Sequence, residues 1–126
     1  MPLARIDVPR GRTAAFRRLV GDVVYESMLE TLQVAAHDRF QVISEHDAQD
    51  LLLDRSYLGI QRSTSCIVIQ LTLNEGRSVE QKQQFYRAVA DGLHERAGMR
   101  REDVFISLLE VRKENWSFGN GEAQYA

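Results

Sequence analysis

The chain has 126 residues, enough for one compact domain with its own core. Net charge is −2 and the isoelectric point about 5.9, with 44% hydrophobic and 27% charged residues, so nothing electrostatic argues for nucleic acid or an anionic membrane as partner. A single cysteine, Cys66, excludes an intramolecular disulfide and a thiolate metal cluster, and without a long apolar run or signal-peptide core a cytoplasmic protein is the expectation.

In chain order, Met1-Pro2 opens onto Leu3–Val8, an alternating run that predicts a strand. Initiator Met is usually removed before a residue as small as Pro. That would leave Pro2 with a free secondary amine, a group able to act as general base, general acid or nucleophile. A retained Met1 would block it. Pro9-Arg10-Gly11-Arg12 reads as a turn and Thr13 as a helix N-cap. From Ala14 to about Leu32 the apolar residues, among them Phe16, Leu19, Val20, Val23, Met28 and Leu32, recur mainly at three- and four-residue steps and predict an amphipathic helix.

Phe40–Ser44 is a short predicted strand. Residues 45–63 are polar, with Leu51-Leu52-Leu53 as a further strand. Ser65–Leu73 carries the strongest strand signal. Ser78 and Gln81 fit a capping box, a second helix runs to Ala97, and Gly98 suits its C-terminal cap. Val104–Val111 is another strand. The tail that follows is aromatic, at Trp116 and Phe118, and then glycine-rich.

The pattern is strand, helix, strand, written twice, with Gly11-Arg12-Thr13 echoed by Gly76-Arg77-Ser78. Two β-α-β units predict an α/β (α+β) fold: a four-stranded mixed sheet with two helices on one face. The single domain divides into a half at about 2–44, a connector at 45–64, a half at about 65–111 and a tail at 112–126. The uncovered sheet face, including alternate residues of Cys66–Leu73, would present apolar side chains to water and predicts an oligomer.

Pro2 after Met, the repeated Gly-Arg-Ser/Thr turns, Asp38-Arg39-Phe40-Gln41, Arg62-Ser63, Gly76-Arg77-Ser78 and Trp116-Ser117-Phe118-Gly119 together resemble the tautomerase superfamily, in its malonate semialdehyde decarboxylase-like branch. The resemblance covers nearly the whole chain. It implies a homotrimer with sheets facing inward and halves related by a pseudo-twofold axis, so that the first and third strands run antiparallel. It also implies a cofactor-free, metal-free enzyme acting on a small carboxylate substrate.

Carried residue by residue, the resemblance makes Pro2 the acid/base, Arg77 the carboxylate-binding cation and Asp38 an acid that orients Pro2 or activates water. Asn74, Arg62, Trp116 and Phe118 become substrate-binding candidates. At Asn74 the chain departs from decarboxylases that carry a second arginine there; an amide can hydrogen-bond a carboxylate but cannot neutralise it. Some relatives also continue beyond the position of Ala126, so a more open pocket is expected here. The first expectation is therefore keto–enol tautomerisation of a small 2-oxo acid. The alternatives are decarboxylation of malonate semialdehyde or hydratase-type hydration of an acetylenic acid, both leaning harder on Asp38, or a non-catalytic trimer.

Other signals point nowhere. His37, His46 and His94 lack metal-ligand spacing. Cys66 sits in an apolar strand, where it behaves as a small hydrophobe. Gly119-Asn120-Gly121 lacks the lysine and helix of a phosphate loop. Glu45-His46-Asp47 reads as a solvated turn.

Overall fold

The computed structural model describes residues 2–126; Met1, and with it the question of whether that residue masks the Pro2 amine, lies outside them. Six elements follow the predicted pattern: β1 (Leu3–Pro9), α1 (Ala14–Thr31), β2 (Phe40–His46), β3 (Ile67–Asn74), α2 (Val79–Ala97) and β4 (Val104–Val111). Each helix starts on its predicted cap. Thr13 Oγ1 accepts from the Phe16 N–H at 3.1 Å, and Ser78 and Gln81 bond reciprocally as a capping box. Gly98 ends α2 at φ 66°, a left-handed conformation that glycine adopts without penalty.

The sheet order is β2-β1-β3-β4, with β1/β2 and β3/β4 parallel and β1/β3 antiparallel. Thr13 and Ser78 lie 65 positions apart, and that offset relates the two halves throughout. Leu3 pairs with Phe40 as Val68 pairs with Phe105. Leu3 faces Thr72 as Asp7 faces Val68, so the pseudo-twofold axis passes through the Arg5–Gln70 pair.

Alternation decides which face is covered. Ala4, Ile6, Val8, Ile67, Ile69, Leu71 and Leu73 are buried beneath α1 and α2 with Val20, Val23, Val24, Met28, Phe85, Val89 and Leu93. The helices approach closely at Gly92, where a Cβ would fall 2.8 Å from Val23 Cγ1.

Three expectations need correction. Leu51-Leu52-Leu53 forms no strand: no β pairing reaches it, Leu52 is 82% exposed, and Leu51 and Leu53 turn instead onto Pro9 and Cys66 around a small cavity. β3 begins at Ile67, because the Ser65 N–H is taken by Ser63 Oγ at 3.1 Å and Thr64-Ser65 turn. The open face of β3 is mixed (Val68, Gln70, Thr72), and the exposed apolar side chains sit on the outer strands, at Phe40, Val42, Phe105 and Leu109. Among the described residues, no helix is long and apolar enough to cross a membrane.

Candidate active site

Strand directions bring four segments to one end of the sheet. β1 and β2 start there, while β3 and β4 finish there. Pro2, the loop before Phe40, the turn after Asn74 and the chain after Val111 therefore converge. This end holds Pro2, Asp38, Asn74, Arg77, Trp116 and Phe118. Pro2 is buried, one step before the Leu3–Thr72 pair and hence beside the end of β3.

Arg77 precedes the α2 cap and is pinned by backbone. Its Nε and Nη2 donate to the Leu32 carbonyl at 3.1 and 3.0 Å, and its Nη1 donates to the Asn74 carbonyl at 3.1 Å. Leu32 caps the C-terminal, negative end of α1, which favours a cation. Among the described residues no carboxylate lies within ion-pair distance of Arg77. The guanidinium is thus fixed in position by carbonyl oxygens, with Asp38 and Glu110 within electrostatic reach but not in contact ion pairs among the described residues.

Asp38 is 7% exposed. Burial pushes its carboxyl above the ordinary carboxylate range, against the opposing pull of the positively charged amino terminus and of Arg77. The loop that presents it is held by Tyr25, whose Oη accepts from the His37 N–H at 3.0 Å while His37 adopts φ 68°. Arg39 lies over the same Tyr25 ring at 5.0 Å.

Asn74 faces the aromatic tail. Trp116 Nε1–H donates to Asn74 Oδ1 at 2.7 Å. That bond fixes which end of the amide is which and leaves the NH₂ as its remaining polar end. Trp116 stacks on Phe118 with centroids 5.5 Å apart, and Phe118 also meets Phe40 at 5.8 Å and Tyr125 edge-on at 5.3 Å. The tail is ordered here by Gln124, which accepts from the Phe118 N–H and donates to the Gly119 carbonyl.

Five of the other six predicted residues thus gather with Pro2 at one end. Arg62 does not join them within one chain. It lies at the opposite end of the sheet, where its Nη1 donates to the carbonyls of Asp54, Tyr57 and Ile60 and holds that loop together. Sequence reading missed Tyr25, the Leu32 carbonyl, Phe40 and Tyr125. Only Phe40 carried a signal, as a neighbour of Asp38 in a recognised motif; the rest depend on contacts distant in sequence. Among the described residues, no group of three His, Cys, Asp or Glu side chains comes together as metal ligands would.

With this geometry in view, the likenesses are specific. Two models described as tautomerase enzymes match residues 38–119 and 2–60. The probable tautomerase YusQ of Bacillus subtilis (strain 168) is 38% identical over 124 residues, covering 98% of each chain. The crystal structure of FG41 malonate semialdehyde decarboxylase inhibited by 3-bromopropiolate superposes with a TM-score of 0.91 at 38% identity, covering 98% of this chain and 93% of that one. A fused 4-OT wild type symmetric trimer shares the fold at 18% identity, with a TM-score of 0.79 over 98% of this chain and 97% of that one. The pinned arginine, buried aspartate and oriented amide are therefore features of a chain that belongs to the tautomerase family.

Proposed function

We propose that the protein is a cofactor-free tautomerase of small 2-oxo acids, with Pro2 as the acid/base. The observation that carries this reading is Arg77: a guanidinium locked by the Leu32 and Asn74 carbonyls, with no contact ion pair among the described residues, at the end where residue 2 is buried. Such a cation takes the substrate carboxylate. The Asn74 NH₂, oriented by Trp116, donates to the oxygen on the adjacent carbon. The Pro2 nitrogen removes the enol proton and delivers one to the neighbouring carbon, so the amine begins and ends in the same state. Arg77 favours neutral Pro2 and an ionised Asp38 favours its cation, and between them they keep the amine able to do both. The wall of Trp116, Phe118 and Phe40 limits water around the developing charge.

Catalysis of this kind requires a chain that begins at Pro2. Ketonisation of phenylenolpyruvate by protein whose mass confirms that start is the test. A rate well above buffer that collapses in Pro2→Ala supports the reading. No rate from that chain overturns it.

A second reading has its own support: the strong likeness to a malonate semialdehyde decarboxylase together with buried Asp38. There cationic Pro2 polarises the aldehyde oxygen, Arg77 orients the departing carboxylate and Asp38 holds the amine protonated. Carbon dioxide release from malonate semialdehyde, abolished by Asp38→Asn, would favour it. For assembly we propose a homotrimer. The exposed Phe40, Val42, Phe105 and Leu109 on the open sheet face need a cover, and the fused 4-OT relative is a trimer. The non-catalytic alternative predicts a trimer without rate in either assay.

A further inference from the structure

The pseudo-twofold axis carries the Pro2 end of the sheet onto the other end. The 65-residue offset takes Arg77 to Arg12, Gly76 to Gly11, Asn74 to Pro9 and Pro2 to Ile67. A cavity of about 320 Å³ lies at that second corner, lined by Arg12, Gly11, Pro9 and Ile67 together with Phe16, Thr64 and Ser65. The four counterparts therefore line one cavity.

The charge arrangement there is selective. Arg10 is neutralised by Asp47 at 2.7 Å and Arg17 by Glu45 at 3.1 Å. Arg12 has no such partner among the described residues, and its guanidinium carbon lies over the Phe16 ring, 3.7 Å from the centroid. A cation–π contact of this kind places the guanidinium without consuming its N–H donors. Thr64 and Ser65 line the cavity as hydroxyl-bearing residues, Pro9, Phe16, Ala48 and Ile67 as apolar ones, and Arg10 as the cation already paired with Asp47. One cation, two hydroxyls and apolar wall suit a small organic carboxylate, whose carbon chain uses surface that inorganic phosphate would leave unused. The amine is missing: at Ile67 the backbone nitrogen belongs to an internal peptide.

We propose that this corner is a second, non-catalytic binding site for small carboxylates, with Arg12 as its anion-binding residue. It is separate from the Pro2 site and does not depend on the chemistry proposed there. The test is equilibrium dialysis of the full chain against radiolabelled malonate, which counts ligands bound without turnover. Wild type should bind two per chain. Arg77→Ala should keep the Arg12-dependent one. Arg12→Ala should weaken one site about tenfold or more, with Arg12→Lys intermediate and ketonisation changed less than about twofold. Arg12 is exposed on a turn, and an unchanged circular dichroism spectrum checks that the variant folds. A single malonate per chain that disappears in Arg77→Ala overturns the proposal, and so does binding unaltered by Arg12→Ala. A single malonate lost only in Arg12→Ala supports it while counting against Arg77 as the substrate cation, so the two readings fail separately.

Discussion

The two corners of the sheet share a backbone and differ in how each treats its buried aspartate. At one, Asp103 is 1% exposed and accepts from the Ser63 N–H at 2.8 Å and from Ser63 Oγ at 2.6 Å. At the other, its counterpart Asp38 is 7% exposed and lies within electrostatic reach of Arg77. Burial raises the Asp38 carboxyl and nearby positive charge opposes the rise. One duplicated position thus anchors a loop, and the other keeps a carboxylate in an environment that favours its neutral form. The same division separates the arginines: Arg77 is clamped by carbonyls, and Arg12 rests on an aromatic ring.

The largest expected effect separates the arginines. Arg77→Ala should lower kcat/KM for an enol-acid substrate by about 10²–10³-fold, the scale of a lost charge-assisted carboxylate contact in the transition state, while Arg12→Ala stays within about twofold. Steady-state kinetics on both variants measures the contrast, and equal losses would erase the functional difference between the corners.

The aspartates should separate on a different axis. Asp103→Ala should cost about 3 kcal/mol, since it strands the Ser63 N–H and hydroxyl in a part-buried site. Asp38→Asn should leave stability level or raised and reduce decarboxylation more than tautomerisation. Urea unfolding beside the two assays tests both halves of that statement.

The pH dependence sharpens it further. Because the folded state holds the Asp38 proton more tightly than the unfolded chain, ionising it costs stability. That cost is complete above the raised folded-state pKa, declines as pH falls through it, and vanishes below the ordinary value of about 3.9. The advantage of Asp38→Asn in unfolding midpoint should therefore be largest near neutrality and shrink on acidification; a gap that widens at low pH would reverse the assignment. The smallest effect concerns Trp116→Phe, which keeps an aromatic ring beside Phe118 and loses the N–H to Asn74. KM should rise about three- to tenfold, the value of one hydrogen bond, with kcat less affected.

Much of this fold is legible in the sequence itself. The helix caps at Thr13, Ser78 and Gly98 fall where small polar residues and glycine punctuate apolar periodicity, a local signal. The duplication was visible in Gly11-Arg12-Thr13 and Gly76-Arg77-Ser78, whose offset applied to Asp38 and Phe40 points directly to Asp103 and Phe105. The antiparallel joining of β1 and β3 came through family resemblance, since either half alone is silent about it. Leu51–Leu53 misled because a short apolar run specifies burial and not pairing. Tyr25, the Leu32 carbonyl and Tyr125 reach the site through tertiary contacts that no local pattern encodes.

The carbonyl clamp on Arg77 has a kinetic consequence. Oriented dipoles hold a guanidinium still without the contact ion pair that would occupy it, so its remaining N–H groups stay available to an approaching anion at short range. The molecule as a whole carries −2, and beyond a Debye length of about 8 Å at physiological ionic strength little attraction remains. Under the proposed function, capture of an anionic substrate then depends on encounters that already come close to Arg77. Chloride should therefore compete for the same cation, and raising it at fixed ionic strength should raise KM for an enol-acid substrate.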